Sequence, residues 1–388
     1  MLVLQLLLES TNQLMHVGSL RGVRVCVGVR CFWSRAVFFA CLAGRSRNYR
    51  HWLPKRSKPQ RKQQVDHTRD YFAQRGRLNN VAFRIRAANH RDCKNRSAQI
   101  GLDAGTVPSL PRKFRSYSHE ALSVSWTRAT VLSVAETSPA AAGGIKPGDQ
   151  LMTFNNEAVP GSETAEWISR FVRDNGERPI HVLVRRDGIE ETRTVTPVIA
   201  CAIPVGLITD SSPNAFTTGD RIVVHSSILR IARTDAQLAL VLGHELAHAN
   251  LGHLDKQRAN QVLGWAGGAA IDAGLVLGGI STGGIFTRQF ARAGALEYSV
   301  SFEREADYVG AYYAARAGYD LTGAEEIWRA LSLESPDDIR VGRMHPVTPV
   351  RFVQMQKVIA EIAEKQRRNA PLVPELKAVQ AEAISADE

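Results

Sequence analysis

The stretch "VLGHELAHAN", residues 241–250, decides how the rest of the chain is read. It sets His244 and His248 four residues apart, with Glu245 beside the first. On an α-helix, positions i and i+4 share a face, so both imidazoles can point at one ion. Glu245 leans toward the same ion without ligating it, where a carboxylate can take a proton from a water held at the metal. Zinc brings the pKa of such a water to about 7, so one nearby base suffices for hydrolysis at neutral pH. The competing reading is a buried helix with incidental histidines. HExxH arises in on the order of one random chain in a hundred of this size, so the motif needs support from elsewhere.

A catalytic zinc needs a third protein ligand and an open fourth position. In the metzincin pattern that ligand is a histidine six residues after the second one, with a glycine three after it. Here those positions are Leu254 and Leu251. The Gly252-His253 pair is one residue out of register, and on a continuous helix His253 lies about 140° round from His248. It reads as a structural histidine. The better candidate lies in "VSFEREADYVGAYYAARAG", residues 300–318. Glu303 and Asp307 share a helix face there. Glu303 is read as the third ligand, and Asp307 as the carboxylate that orients a ligand histidine through its other ring nitrogen. Glu305 points roughly the opposite way and reads as a solvated carboxylate.

The chain has 388 residues, enough for two or three domains, and a formal charge of +11. The charge is unevenly spread: residues 1–115 carry 23 Lys/Arg against 5 Asp/Glu, and residues 116–388 carry 26 against 33. The basic character belongs to an N-terminal arm, and the part that looks folded is mildly acidic. A nucleic-acid enzyme would carry its basic patch around the site, so nucleic acid is not expected as a partner. Within the arm, "RAVFFACLAGR" has an apolar run of signal-peptide length, and Cys41 after "FFA" is a degenerate lipidation candidate. Arginines follow the run at once, and "LPKRSKPQRKQQ" reads as a polar linker.

The five cysteines, Cys26, Cys31, Cys41, Cys93 and Cys201, show no CxxC zinc spacing. Cys93 and Cys201 stand alone on either side of a compact segment. In an oxidising compartment they can form one disulfide; the alternative is two unpaired thiols.

The expected organisation is a basic arm over 1–64, a helix and linker over 65–115, a β-rich domain over 116–199, a catalytic domain over 200–365 and a polar tail over 366–388. A helix is expected over 66–100, with Phe72, Leu78, Val81, Ile85 and Ala88 at helical spacing. From residue 116 the texture changes to short strands broken by "SPAAAGGIKPGD", the helix "SETAEWISRFVRDNG" and a "DG" turn between two strands. This segment resembles a PDZ domain of the bacterial protease-associated kind, which implies an extended peptide, such as a C-terminal one, added beside an edge strand. "YSHEALSV", residues 117–124, is where its carboxylate-binding loop would fall; the plainer alternative is a spacer that binds nothing. Residues 262–286 hold eight glycines and Asp272. They are read as a helical hairpin or flap near the site in preference to a membrane span, though membrane association stays open.

The pieces "NAFTTGDRIVVHSSIL", "LGHELAHANLGH", "EREADYVG" and "MHPVTPVR" appear in the order found in the HtpX/BepA-like, CAAX-prenyl-protease-like zinc metalloendopeptidases, which the chain resembles over about 205–355. With the PDZ segment and the "RLNNVAFRIRAAN" helix, the resemblance extends to about 65–360. It implies one Zn2+ per chain held by His244, His248 and Glu303, with Glu245 as base. It implies that "RIVVHSSIL" is the edge strand that holds the substrate backbone. It also places a histidine of the kind of His345 beside the zinc. Pro346 biases that residue toward extended geometry, so His345 could swing over the metal either as an oxyanion donor or as a latch on the fourth zinc position. A loop histidine without part in the chemistry is the remaining reading.

The expected fold class is α+β: a mainly helical zincin of the gluzincin type with a small β-sheet, plus the PDZ-like β-rich domain. The expected function is a zinc metalloendopeptidase acting on misfolded or unassembled proteins of the bacterial envelope, in the periplasm or at a membrane. The rivals are a PDZ-bearing chaperone with a silent, latched zinc site, and a membrane-embedded CAAX processing enzyme. The latter needs several long apolar spans, and the sequence offers one doubtful run.

Overall fold

A computed structural model of the chain describes residues 58–277, 282–334 and 349–375. Cys26, Cys31, Cys41 and His345, with the signal-like run, lie outside the described residues.

The first element is α1 (Lys58–Ala88), which buries Phe72, Leu78, Val81 and Ile85. Ala88 is exposed. The helix ends there rather than continuing toward residue 100. The Asn89 side chain turns back to donate to the Ile85 carbonyl (2.9 Å) and to the Tyr313 carbonyl (3.0 Å), competing with the helical ladder. Two four-residue strands follow, β1 (Arg96–Gln99) and β2 (Leu102–Gly105). Gly101 between them has φ +73°, and a Cβ there would lie 2.3 Å from the Cβ of Ser138, so the turn needs glycine.

After α2 (Arg112–Leu122) come β3 (Thr130–Val134), α3 (Pro139–Ala142), β4 (Gln150–Phe154), β5 (Glu157–Ala158), α4 (Thr164–Asn175), β6 (Ile180–Arg186), β7 (Ile189–Val195) and β8 (Val198–Cys201). The main sheet runs β2-β3-β4-β6-β7, with β5 on β4, while β1 pairs antiparallel with β8. Alternation along β6 sends Ile180, Val182 and Val184 into a core shared with Leu151, Phe154, and Ile168 and Val172 of α4. The sheet therefore begins at β2, upstream of the expected boundary at 116. "YSHEALSV" is not a loop but the end of α2 and its cap, with Ser118 buried. Strands of four residues are too short to show a period, which is why β1 reads as part of the helix over 66–100 and β2 as linker.

A disulfide joins Cys93 to Cys201, with the Cα atoms 5.5 Å apart across a sequence separation of 108. It ties the end of α1 to β8.

The second unit opens with β9 (Val205–Ile208), β10 (Ala215–Thr217) and β11 (Ile222–His225), in the order β10-β11-β9. β11 pairs antiparallel with β10 and parallel with β9. "RIVVHSSIL" thus supplies the central strand and not an edge, because both its ladders are taken. The edge beside the metal-motif helix is β10.

Among the described residues six helices follow: α5 (Ser226–Ile231), α6 (Asp235–Leu251), α7 (His253–Leu277), α8 (Ile285–Arg316), α9 (Glu326–Glu334) and α10 (Pro349–Arg367). α6 starts on a capping box: the Gln237 amide donates to Thr234 Oγ1 at 3.2 Å while the Gln237 side chain accepts from the Thr234 amide. Every residue from Leu238 to His248 is buried. α6 is the central helix of its unit, wrapped by α1, α8 and the small sheet.

α7 and α8 run antiparallel. They touch at Gly268, where a Cβ would lie 2.4 Å from the Phe286 carbonyl oxygen. The buried Asp272 carboxylate accepts from the Thr287 amide (2.8 Å) and hydroxyl (2.5 Å). Leu263, Trp265 and Leu277 on this pair are exposed. Among the described residues no helix is long and apolar enough to cross a membrane. The fold is α+β, a β-rich unit packed on a mainly helical one.

Candidate metal centre

α6 presents His244, Glu245 and His248, and α8 crosses it to present Glu303 and Asp307. The crossing brings backbone against backbone: a Cβ on Gly243 would lie 2.3 Å from the Gly310 carbonyl oxygen. All five side-bearing residues are buried.

His244 Nε2 and His248 Nε2 face each other at 3.0 Å. Glu303 reaches both: one oxygen lies 3.2 Å from His248 Nε2 and the other 3.4 Å from His244 Nε2. One ligand atom from each of the three lies within 4.8 Å of the others, and they form the one such group found among the described residues. Two imidazole nitrogens and a carboxylate converging in a buried pocket offer three electron pairs to one point, and a cation there would satisfy all three.

The back of each ligand is held. His244 Nδ1 lies 2.9 Å from an Asp307 carboxylate oxygen. Asp307 accepts in turn from Arg351, Nε at 2.7 Å and a terminal nitrogen at 2.8 Å. The other terminal nitrogen of Arg351 lies 2.9 Å from Glu303. The guanidinium also stacks over the Trp328 ring, 5.1 Å from its centroid.

The electrostatics of the pocket ask for positive charge. Burial opposes the charged form of His244, but Glu303 and Asp307 outweigh it and push its pKa up to about 10. Burial pushes the Asp307 carboxyl up, while Arg351 and His244 more than offset that, so it is held below its ordinary value. Arg351, desolvated but facing Asp307 and Glu303, is held above its ordinary value. With both histidines neutral, as ligation requires, the buried carboxyl groups of Glu245, Glu303 and Asp307, if all ionised, would set three formal negative charges against one from Arg351. Burying that imbalance is costly unless it is neutralised, and a divalent cation matches it. The residues fit zinc in number, chemistry and charge.

The expected site residues His244, Glu245, His248, Glu303 and Asp307 are brought together. His345 lies outside the described residues. Two expectations are corrected. His253 does not continue the face of α6: Gly252, at φ +67°, ends that helix in a left-handed turn and folds His253 back beside His248. The 140° offset applied to a continuous helix, which the turn breaks. Glu305 is not solvated. Its side chain is 19% exposed and accepts from His253 Nε2 at 3.1 Å. Sequence reasoning missed Arg351, which sits in "MHPVTPVR" at the start of α10.

A buried HExxH helix crossed by a helix that supplies a third ligand, here a carboxylate, is the arrangement found in HExxH metallopeptidases. Residues 203–359 match Peptidase family M48, and residues 130–186 match the PDZ domain family, so a region similar to M48 follows one similar to a PDZ domain. The putative beta-barrel assembly-enhancing protease of Vibrio cholerae is 28% identical over 173 residues, covering 43% of this chain and 35% of that protein. The beta-barrel assembly-enhancing protease of Escherichia coli K12 is 31% identical over 123 residues, covering 29% and 25%. The mitochondrial metalloendopeptidase OMA1 of Schizosaccharomyces pombe is 26% identical over 168 residues, covering 41% and 48%. The chain thus matches between a quarter and half of the length of these relatives. Among solved structures, the PDZ domain of HtrA3 bound to a phage-derived ligand is 22% identical with a TM-score of 0.21, covering 27% of this chain and 88% of that one.

Proposed function

We propose that the protein is a zinc-dependent endopeptidase acting on extended stretches of unfolded or unassembled proteins. The carrying observation is the buried group of His244, His248 and Glu303, one ligand atom of each within 4.8 Å of the others, beside the buried Glu245. When bound, zinc supplies a Lewis acid for the scissile carbonyl and acidifies water. Glu245 accepts the proton of the attacking water and passes it to the leaving amine. His244 and His248 hold the ion, and Asp307 and Arg351 keep His244 and Glu303 from rotating away. His345 is assigned the role of oxyanion donor or of latch on the strength of the family resemblance alone.

The substrate backbone would add along β10, the sheet edge next to α6. A second strand-addition surface lies in the PDZ unit. β2 is the terminal strand of its sheet, and α4 packs beside it and β1. The turn at Ile100–Gly101 precedes β2, where a peptide carboxylate would meet backbone amides. The reading of an envelope location is supported by the Cys93–Cys201 disulfide, which suits an oxidising compartment, and by the names of the bacterial relatives.

The test is casein cleavage by the purified protein. Cleavage abolished by a chelator and restored by zinc is expected. Stoichiometric zinc without cleavage would instead favour a binding protein with a silent site.

A further inference from the structure

Behind His248 lies a pair of side chains that the hydrolytic steps do not use. His248 directs Nε2 at the ligand group, so its Nδ1 points away, and it lies 3.0 Å from His253 Nδ1. The other ring nitrogen of His253 lies 3.1 Å from Glu305. His253 is 2% exposed and stacks on Phe302, with the centroids 4.5 Å apart and the planes 14° off parallel.

One placement of protons satisfies the whole chain of contacts. A neutral imidazole carries one N–H and one acceptor nitrogen. Ligation through Nε2 leaves His248 its Nδ1–H, which donates to His253 Nδ1. His253 then carries its proton on Nε2 and donates it to Glu305, which only accepts. The reverse order would place an N–H on the ligating nitrogen of His248 and exclude the metal.

We infer that Glu305 and His253 are positioning residues for zinc: acting through His253, the Glu305 carboxylate fixes His248 in the tautomer and ring orientation that leave Nε2 free to ligate. The inference rests on the zinc reading above. The two ligand histidines are then held in different ways. Asp307 touches His244 directly, at 2.9 Å, whereas Glu305 reaches His248 only through an intervening imidazole. His253 is not itself a ligand, because its Nδ1 is turned to the back of His248 and not toward the group formed by His244, His248 and Glu303. The Gly252 turn is what makes this possible, since a helix continued through residue 252 would carry His253 away. Stacking on Phe302 then sets the plane of the ring.

Partners of this kind typically change metal affinity by about 10- to 100-fold. The experiment measures zinc dissociation constants by chelator competition, on the full chain, for wild type, His253→Ala, His253→Gln, Glu305→Gln and His253→Ala/Glu305→Gln. Circular dichroism checks the fold, and the visible spectrum of the cobalt-substituted protein reports coordination. His253→Ala is expected to weaken zinc by about 10- to 100-fold and to alter the cobalt spectrum. His253→Gln, whose amide can accept from His248 and donate to Glu305, recovers most of the loss. Glu305→Gln weakens zinc less than His253→Ala, and adds nothing in the absence of His253. Should His253→Ala not fold, Glu305→Gln and His253→Gln still carry the comparison. Wild-type zinc affinity in folded His253→Ala, or a Glu305→Gln effect undiminished without His253, would overturn the inference. A wild-type protein that binds no zinc would overturn the zinc reading itself, a different failure.

Discussion

Gly243 and Gly310 meet backbone to backbone where α6 crosses α8. A Cβ on Gly310 would lie 2.6 Å from the His244 amide nitrogen, and one on Gly243 would lie 2.3 Å from the Gly310 carbonyl oxygen. Glycine inside a helix costs about 1 kcal/mol relative to alanine, so two of them at one crossing reflect a need for closeness. The closeness is what lets Glu303 reach histidines on the neighbouring helix.

Alanine at either glycine should therefore destabilise the protein, although helix propensity alone favours alanine. Overpacking of this kind costs about 1–3 kcal/mol. Gly310→Ala is expected to lower the melting temperature and the zinc content together. A variant that melts higher and keeps its zinc would show that the crossing tolerates a wider spacing.

Arg351 should prove irreplaceable by lysine. It spans Asp307 with two nitrogens and Glu303 with a third, a fork that a single ammonium cannot reproduce. Removing one member of a buried ion-pair group costs about 3–5 kcal/mol. Denaturant titration of Arg351→Met and Arg351→Lys should show large losses for both. Wild-type stability in Arg351→Lys would mean that charge alone matters there.

The disulfide should contribute to stability through the long loop that it closes. In the chain-entropy account a loop of about 100 residues is worth about 4–5 kcal/mol. Cys93→Ala/Cys201→Ala and reductant-treated wild type should unfold at the same, lower urea concentration. Wild type insensitive to reductant, matching the untreated protein, would speak against the bridge.

His345→Ala should leave zinc bound. As an oxyanion donor its loss should lower kcat by on the order of a hundredfold, and as a latch its loss should raise basal cleavage. Unchanged kinetics would leave His345 outside the chemistry.

The centre was legible in the sequence to the extent that its geometry is local. His244 with His248, and Glu303 with Asp307, are pairs on single helices, where a spacing of four fixes a shared face. What escaped depends on chain reversals and long-range contacts. Arg351 meets Asp307 across 44 positions, with nothing in the local pattern to mark it. His253 was misread because the turn at Gly252 cancels the helical period used to place it. Glu305, dismissed for facing away from the ligands, faces His253 for that same reason. In the β-rich unit, four-residue strands such as β1 and β2 carry too few residues for alternation to show. "RIVVHSSIL" was recognisable as a strand, but its central place depends on β9 and β10 pairing on either side, which no single strand's sequence reveals.

The most direct test of the central claim is Glu245→Gln, assayed for metal and for cleavage on the same preparation. The substitution leaves His244, His248 and Glu303 in place and removes only the proton acceptor. The account predicts one zinc per chain, an unchanged melting temperature and no detectable casein cleavage, against chelator-sensitive cleavage by wild type. Cleavage by Glu245→Gln at the wild-type rate would contradict it.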